Sequence, residues 1–501
     1  MTSEGAAEDC LGVVGAGAMG QGIAQVAIQG GIRTLLLDSE EGAALAAASA
    51  IRGRLGRLVE KGRLAADAAD AASRRLEPID DIGAFKACNI LIEAIVENLE
   101  SKQALFRDIE KIVRPDCLIA SNTSSIPIAS IARVCEHRDR IAGMHFFNPV
   151  PLMKLVEIIR TAETSDATVE ALRTLGERMT RTSVTVKDSP GFLVNMGGRA
   201  YTTEGLRIAH EGVAAPAAID AVMRDCRHFP MGPFELMDLT GIDVNYPVSQ
   251  IVYDGYQQDP RIKTSANHMA MFDAGLFGRK TGAGWYRYED GMPIDVPSPD
   301  HVTDAEPAVH VALARDDPAL AAFLDETSMV IGADDGTCPI LAAPFGEDAT
   351  HTALATQCDH RRLVCLDLSG DTKKRVTIMT APGADPLVGD AVASALHVTG
   401  RRVTAIKDSP GFIAQRMAAM VANLGCYMAE IGLASPDDID TAMKLGLNYP
   451  LGPLELAEDL GTTRCQAILE RLQAITGEDR YRPTLWLKRR AALGLPIRCA
   501  S

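Results

Sequence analysis

The chain repeats itself at a constant offset of 220 residues, which restricts it to folds that can be assembled from two copies of one structural unit. "VKDSPGFLVN" at Val186 to Asn195 returns as "IKDSPGFIAQ" at Ile406 to Gln415, and "FPMGPFEL" at Phe229 to Leu236 returns as "YPLGPLEL" at Tyr449 to Leu456. Between them, "AIDAVM" (Ala218 to Met223) returns as "DIDTAM" (Asp438 to Met443). Chance matches do not hold one offset through several motifs. Both copies must satisfy the same packing rules, so positions that agree report the fold. Positions that differ are candidates for chemistry.

The 501 residues, 47% of them hydrophobic, suffice for three or four domains with their own cores. A net charge of -16 argues against a general nucleic-acid or membrane-surface binder, because those partners select basic surfaces. Any anionic ligand must then be met by local basic groups. The eleven cysteines show neither CxxC nor paired spacing, so no metal site or disulfide framework is expected and a reducing cytosol is the simplest home. Neither a signal-peptide pattern nor an apolar run of about 18 residues is present. A cytoplasmic protein without membrane or nucleic-acid partners is the expectation.

After a short polar arm comes "CLGVVGAGAMGQGIAQVAIQGG", an apolar strand (Leu11 to Val14), then Gly15, Gly17 and Gly20, with Ala18 and Met19 among them as further cofactor-binding candidates, then a small-residue helix. Such glycines permit a tight turn, close approach of backbone to a pyrophosphate, and close packing of helix on strand. A second apolar strand, "TLLLD", ends in Asp38, at the distance where an acid accepts the ribose hydroxyls of NAD. Its charge would repel the 2'-phosphate of NADP. Strand, glycines, helix and acid in this order predict a doubly wound, Rossmann-type α/β domain that binds NAD.

Farther on, "NILIEAIVENLESKQALF" places a strand before Glu93 to Glu97 and a helix carrying Lys102. "CLIASNTSSIPIASIA" runs a strand into the polar turn Asn122 to Ser125, at the carboxyl end where ligands bind in open α/β sheets. Asn122 and Ser124 read equally well as helix caps.

"RIAGMHFFNPVPLMKLVEII" carries more chemistry. His145 and Asn148 end one strand, two prolines force a turn, and Glu157 sits in the next strand between Val156 and Ile158. A carboxylate in so apolar a strand costs several kcal/mol without a partner, and His145 is the obvious one. A histidine oriented by a carboxylate can serve as a general base near neutral pH. A structural histidine beside an unrelated glutamate is the alternative. The second copy discriminates: at the common offset Thr377 replaces Glu157, "RRLVCLDLSGD" contains no histidine, and Gln415 replaces Asn195. Counted back, that copy begins near residue 78 of the first, so it lacks the glycine loop and Asp38.

Through these residues the chain resembles the 3-hydroxyacyl-CoA dehydrogenases, from Leu11 to about Tyr288. "GAGAMG", "EAIVENL", "SNTSS", "HFFNPVPLMKLVEII", "KDSPGF", "PMGPFEL" and "GRKTGAGWY" stand in the family's order. The resemblance implies that His145 is the general base, Glu157 its partner, and Ser124, Asn148 and Asn195 the groups placing substrate beside the nicotinamide. It puts Glu97 and Lys102 near the cofactor. One departure is Ala283, where a lysine often sits. The longer form, with a degenerate half-domain and a second helical domain, resembles the variety found in bacterial phenylacetate catabolism, where the substrate is 3-hydroxyadipyl-CoA.

The expected organisation is a Rossmann-type sheet domain (9–188), an all-helical domain (189–290), a Pro/Asp-rich linker (291–307), a degenerate α/β half-domain (308–405) and a second helical domain (406–501). In single-copy members of the family the helical domain mediates dimerisation, so two copies in one chain can make that contact internally, with a homo-oligomer still open. Arg54, Arg57 and Lys61 fall on one face of a predicted helix, a seat for the phosphates of CoA or simply a solvated basic face. Two other readings compete. The 6-phosphogluconate and 3-hydroxyisobutyrate dehydrogenases share a similar glycine loop but depend on a lysine in the helical domain, and a non-catalytic, crystallin-like NAD-binding protein would not need the His/Glu pair. Within the leading reading, short-chain 3-hydroxybutyryl-CoA is the alternative substrate.

Overall fold

In a computed structural model, residues 9–499 are described; the polar arm before Asp9 and the last two residues lie outside them. The described residues pack as two compact units, 9–194 with Gly432–Leu447, and Asn195–Ile431 with 448–499. No helix among the described residues is long and apolar enough to cross a membrane.

The first unit is built on eight strands: β1 (Cys10–Val14), β2 (Arg33–Leu37), β3 (Leu76–Pro78), β4 (Ile90–Glu93), β5 (Leu118–Ser121), β6 (Ile141–Phe146), β7 (Leu155–Arg160) and β8 (Thr182–Lys187). Their order is β3-β2-β1-β4-β5-β6-β7-β8, and every pair is parallel except β6 with β7. The buried runs CLGVV, TLLL and LIAS are apolar because helices cover both faces of a parallel sheet. The strand order reverses between β1 and β4, which opens the crevice at their carboxyl ends.

β8 is an edge strand with unpaired backbone groups, a template for unwanted pairing unless covered. Helix Pro436–Leu447, from the second copy, lies against it: Lys187 N–H donates to Leu433 O at 2.8 Å. Gly446 allows close packing there, since a Cβ would sit 3.0 Å from side-chain atoms of Leu155 and Val194, which would have to give way.

The second unit carries a hairpin of β9 (Arg287–Glu289) and β10 (Met292–Ile294) and a smaller sheet. Its strands are β11 (His310–Leu313), β12 (Val330–Ile331), β13 (Ile340–Ala342), β14 (Leu363–Asp367), β15 (Arg375–Thr380) and β16 (Arg402–Ile406), in the order β12-β11-β13-β14-β15-β16. β14 and β15 repeat the antiparallel step of β6 and β7. Here the covering helix is Pro216–Arg227, the first-copy counterpart of Pro436–Leu447, and Lys407 N–H donates to Val213 O at 3.1 Å. Thus each sheet is covered by the helix of the other copy.

The retained motifs have structural reasons. Asp188 accepts from the N–H groups of Ile128 and Ala129, capping helix Ile128–Ala132; Asp408 does the same for Ala349 and Thr350 at helix Ala349–Thr356. Helices Arg199–His210 and Ala414–Glu430 pack on one another in the second unit. Beside them the equivalent residues Phe229 and Tyr449 meet edge-on, with ring centroids 5.0 Å apart. At the heart of this packing, fully buried Arg416 donates to Glu204 at 2.7 Å, to Glu211 at 2.8 Å and to the Tyr481 hydroxyl at 2.7 Å.

Candidate active site

β1 ends at Gly15, whose φ of +104° and the Ala94 carbonyl 2.4 Å from any added Cβ exclude side chains. Gly20 is equally closed, for its Cβ would fall 1.8 Å from the Gly15 carbonyl oxygen. Gly17 differs: nothing lies within 4 Å of the position its Cβ would take, so the loop is open at that point, ahead of helix Ala18–Gln29. Open space over a helix N-terminus with free N–H groups fits a pyrophosphate. Asp38, just past β2, is turned back to this loop: Oδ2 accepts from Ala16 N–H at 2.6 Å and Oδ1 from Glu40 N–H at 3.0 Å. Ala18 is exposed and Met19 partly buried at the start of the helix.

Glu93, at the end of β4, forms a buried polar cluster. Its Oε1 accepts from Lys102 Nζ at 2.6 Å and from Ile95 N–H at 2.8 Å, while Oε2 accepts from Ser121 Oγ at 2.6 Å. Lys102 also lies 3.3 Å from Glu97 Oε2. Glu97 Oε1 gathers the polar turn, accepting from the Thr123 hydroxyl at 2.7 Å and from Ser124 N–H at 3.0 Å. Burial works to raise the Glu97 carboxyl, but the Thr123 hydroxyl, the Lys102 charge and the Ser124 N–H together hold it below its ordinary value. Asn122 ties β5 to β6 by accepting from Phe146 N–H at 2.8 Å. Ser124 is exposed on this turn, and Asn148 is exposed past the end of β6.

β6 and β7 place His145 directly opposite Glu157 in antiparallel register. Nδ1 lies 2.6 Å from Oε2 of the wholly buried Glu157, whose Oε1 accepts from the N–H groups of Leu193 and Val194 at 3.1 and 2.8 Å. Two donors on one oxygen fix the carboxylate, and the carboxylate then holds the imidazole proton on Nδ1. Nε2 has no hydrogen-bond partner among the described residues, which leaves its lone pair for a proton to come. Phe147 and Phe192 flank the ring, with centroids at 4.6 and 5.8 Å. Asn195 follows Val194 directly and opens the second unit.

In the second copy the register pairs Asp367 with Thr377. Asp367 therefore stands where the histidine would, because the β14–β15 connection is shorter than its counterpart. Gln415 Nε2 donates to Asp367 Oδ1 at 3.0 Å and to Pro344 O at 3.1 Å, filling the place with a static hydrogen-bond bridge.

The basic face of helix Ala43–Glu60 is not uniform. Arg54 is half-buried, donating to Gln25 at 2.9 Å and Gln21 at 3.1 Å, and its pKa is lowered by burial and then by the neighbouring Arg57 charge. Lys61, at the helix C-cap, is exposed. Sequence reasoning passed over Glu93, whose signal was a carboxylate ending an apolar strand, and the Leu193 and Val194 N–H groups, for which there was no signal.

The geometry predicts a specific outcome for Glu157→Gln. An amide offers one acceptor oxygen; if it serves Leu193 and Val194, the NH₂ faces Nδ1 and drives the histidine proton to Nε2. Turnover should fall about 10²- to 10⁴-fold with KM within a few-fold. Steady-state kinetics with rates near those of the parent protein would count against the pairing.

Residues 10–189 match the 3-hydroxyacyl-CoA dehydrogenase NAD binding domain, and residues 191–288 and 411–498 both match the C-terminal domain of that family. The chain is 37% identical over 483 residues to a 3-hydroxyadipyl-CoA dehydrogenase of Escherichia coli, covering 96% of this chain and 97% of the relative. It is 40% identical over 278 residues to a probable 3-hydroxybutyryl-CoA dehydrogenase of Deinococcus radiodurans, covering 56% of this chain and 99% of the relative. Among solved structures, a 3-hydroxybutyryl-CoA dehydrogenase from Escherichia coli superposes with a TM-score of 0.85 at 36% identity, covering 97% of this chain and 98% of that one.

Proposed function

Because the chain belongs to the 3-hydroxyacyl-CoA dehydrogenase family and is an NAD-dependent oxidoreductase, we propose that it oxidises 3-hydroxyadipyl-CoA to the 3-oxoacyl-CoA with His145 as general base. The observation that carries this reading is the His145–Glu157 pair at 2.6 Å, with Nε2 left free. NAD, when bound, supplies the hydride acceptor for the hydrogen on C3. His145 Nε2 takes the proton of the C3 hydroxyl, and Glu157 stabilises the imidazolium that results. Gly15, Gly17, Ala18, Met19, Gly20 and Asp38 hold the dinucleotide, with Glu97, Lys102 and Asn122 shaping its nicotinamide end. Ser124, Asn148 and Asn195 orient the acyl thioester and the C3 oxygen, which is positioning chemistry. Arg54 and Lys61 are offered as CoA phosphate contacts, Lys61 being the less encumbered.

The substrate choice rests on the relative that matches nearly the whole chain, duplicated half included. A second reading, 3-hydroxybutyryl-CoA, has its own support in the printed names of the Deinococcus relative and the superposed structure. NADH formation from 3-hydroxybutyryl-CoA, 3-hydroxyhexanoyl-CoA and 3-hydroxyadipyl-CoA decides between them. No NADH from any of the three would overturn the general-base assignment as well.

A cofactor prediction follows from Asp38. Its carboxylate, fixed by Ala16 and Glu40 N–H groups, repels a 2'-phosphate, so kcat/KM should favour NAD over NADP by at least about tenfold. Asp38→Ala should narrow that ratio, and equal use of the two by the parent protein is inconsistent with this role.

The domain scheme belonging to this reading is 9–188, 189–290, linker 291–307, 308–405 and 406–501, in a cytoplasmic enzyme. We also propose that the two helical regions form a pseudo-two-fold dimer inside one chain. What supports it is the meeting of equivalent elements, Phe229 with Tyr449 and helix Arg199–His210 with Ala414–Glu430, and the reciprocal covering of each sheet.

A further inference from the structure

Three ionisable side chains meet at the carboxyl ends of β4 and β5, and their charges do not balance. Glu93 and Lys102 are buried, with Oε1 and Nζ 2.6 Å apart. The exposed Glu97 adds a second acid, its Oε2 3.3 Å from the same ammonium. No other base pairs with either carboxylate among the described residues, so two acids share one cation.

The cluster stands between the two ends of the site. Register puts Val14 beside Glu93, Glu93 beside Ser121, and Ser121 beside Gly143, a row that crosses four adjacent strands of one unit. Val14 leads into the glycine loop, and His145 lies two residues beyond Gly143 on the same face of β6. A dinucleotide held at β2 by Asp38 and at β1 by the glycine loop reaches His145 on β6 only by crossing the ends of β4 and β5. That path brings its nicotinamide end over the three charges.

The duplicate shows that the scaffold does not need them. Its equivalent strands pair Leu313 with Leu341, in the register that pairs Glu93 with Ser121. At the offset of Lys102 stands Ala322. Asp317, at the offset of Glu97, accepts from the N–H groups of Ala319 and Leu320 and caps helix Pro318–Leu324. Two leucines join the strands without the desolvation cost of a buried ion pair. The charges occur only in the copy that kept the glycine loop and the His/Glu pair, as expected of groups serving the cofactor and not the fold.

We propose that Glu93 and Glu97, held together by Lys102, supply a surplus negative charge that tilts cofactor binding from NADH toward NAD. The nicotinamide ring of NAD is a cation and that of NADH is neutral, so a fixed negative charge nearby favours the oxidised form. The site then takes up NAD more readily than its shape alone would allow, which suits oxidation of a 3-hydroxyacyl-CoA. Glu93 is buried with both oxygens hydrogen-bonded, so it acts through its charge. This rests on the placement of the dinucleotide given above and adds the groups that set which redox form is held.

The test is the pair of dissociation constants for NAD and NADH, each titrated against the whole chain by calorimetry. Glu93→Gln and Glu97→Gln each remove one charge and keep the length of the side chain. Either should raise the ratio of Kd for NAD to Kd for NADH about five- to tenfold, the scale of one charge contact in a partly solvated site. Glu97→Asp keeps the charge and loses the reach, so its ratio should stay within about twofold of the parent value although both affinities fall. Because Glu97 is exposed, its two variants remain measurable if Glu93→Gln disturbs the core. Equal weakening of both cofactors by the glutamine variants overturns the proposal. So does an aspartate variant that shifts the ratio as far as the glutamine one, since geometry and not charge would then be responsible. Turnover of a 3-hydroxyacyl-CoA by the parent chain, measured alongside, separates the two ideas: where it is intact, either result sinks this inference and leaves the dehydrogenase reading standing.

Discussion

His145→Gln should lose turnover by about 10²- to 10⁴-fold while NAD affinity stays within a few-fold of the parent value. The loss has that size because removing a positioned general base costs the proton-transfer contribution and little else. Glutamine can still accept a hydrogen bond but cannot carry a proton away at neutral pH. NAD affinity should survive because the glycine loop and Asp38 form their own cluster, held by Ala16 and Glu40 N–H groups and not by the imidazole. Steady-state rates together with NAD titration by fluorescence check both halves. Near-parental turnover would remove His145 from the chemistry; a matching collapse of NAD affinity would point to a distorted sheet.

Arg416→Met should destabilise the second unit by about 3–5 kcal/mol, because it strands the fully buried Glu204 carboxylate. Arg480 Nη2, 3.1 Å from Glu204 Oε2, compensates only in part. The internal comparison supplies the control. The counterpart of Arg416 is Met196 and that of Glu204 is Leu424, so the ion pair is absent from the mirrored contact. Glu204→Leu combined with Arg416→Met substitutes those counterpart residues and should recover much of the loss, since a buried pair replaced by apolar residues is often neutral. Thermal melts of both single variants and the double variant form the test. If Arg416→Met melts with the parent, the pair is idle.

The same pair has a consequence for assembly. Packing two first-copy helical regions together would bury two Glu204 carboxylates against Met196, without the Arg416 guanidinium. Two second-copy regions would bury Arg416 against Leu424. Either arrangement costs several kcal/mol, so the pair favours first copy with second over either self-pairing. Sedimentation should show a chain with less tendency to exchange helical regions than the double variant, in which that penalty is gone.

The sequence by itself determined the local chemistry. Gly15, Gly17, Gly20 and Asp38 were legible because a tight turn, an open approach and an acid after the second strand each demand particular residue types at short range. Glu157 was legible for a different reason. A carboxylate between Val156 and Ile158 in an apolar strand must find a partner, and the duplicate's Thr377 showed that the strand does not need the acid. The constant offset likewise marked Asp188 and Asp408 as scaffold, which their identical capping of two helices explains.

Tertiary structure decided what long-range packing alone can set. The N–H groups of Leu193 and Val194 converge on Glu157 only once the chain has turned out of β8, and nothing in their identity announces it. Sequence placed Lys102 on a helix and, by resemblance, near the cofactor, but gave no sign that its ammonium is buried between Glu93 and Glu97. Asp367 entered the position opposite Thr377 because a shorter connection slid β14 by two residues, a shift invisible while only one offset is counted. The covering of each sheet by the other copy's helix is of the same kind. Sequence pattern records what each residue requires of its surroundings; the residue that meets the requirement, often more than a hundred positions away, is chosen by the fold.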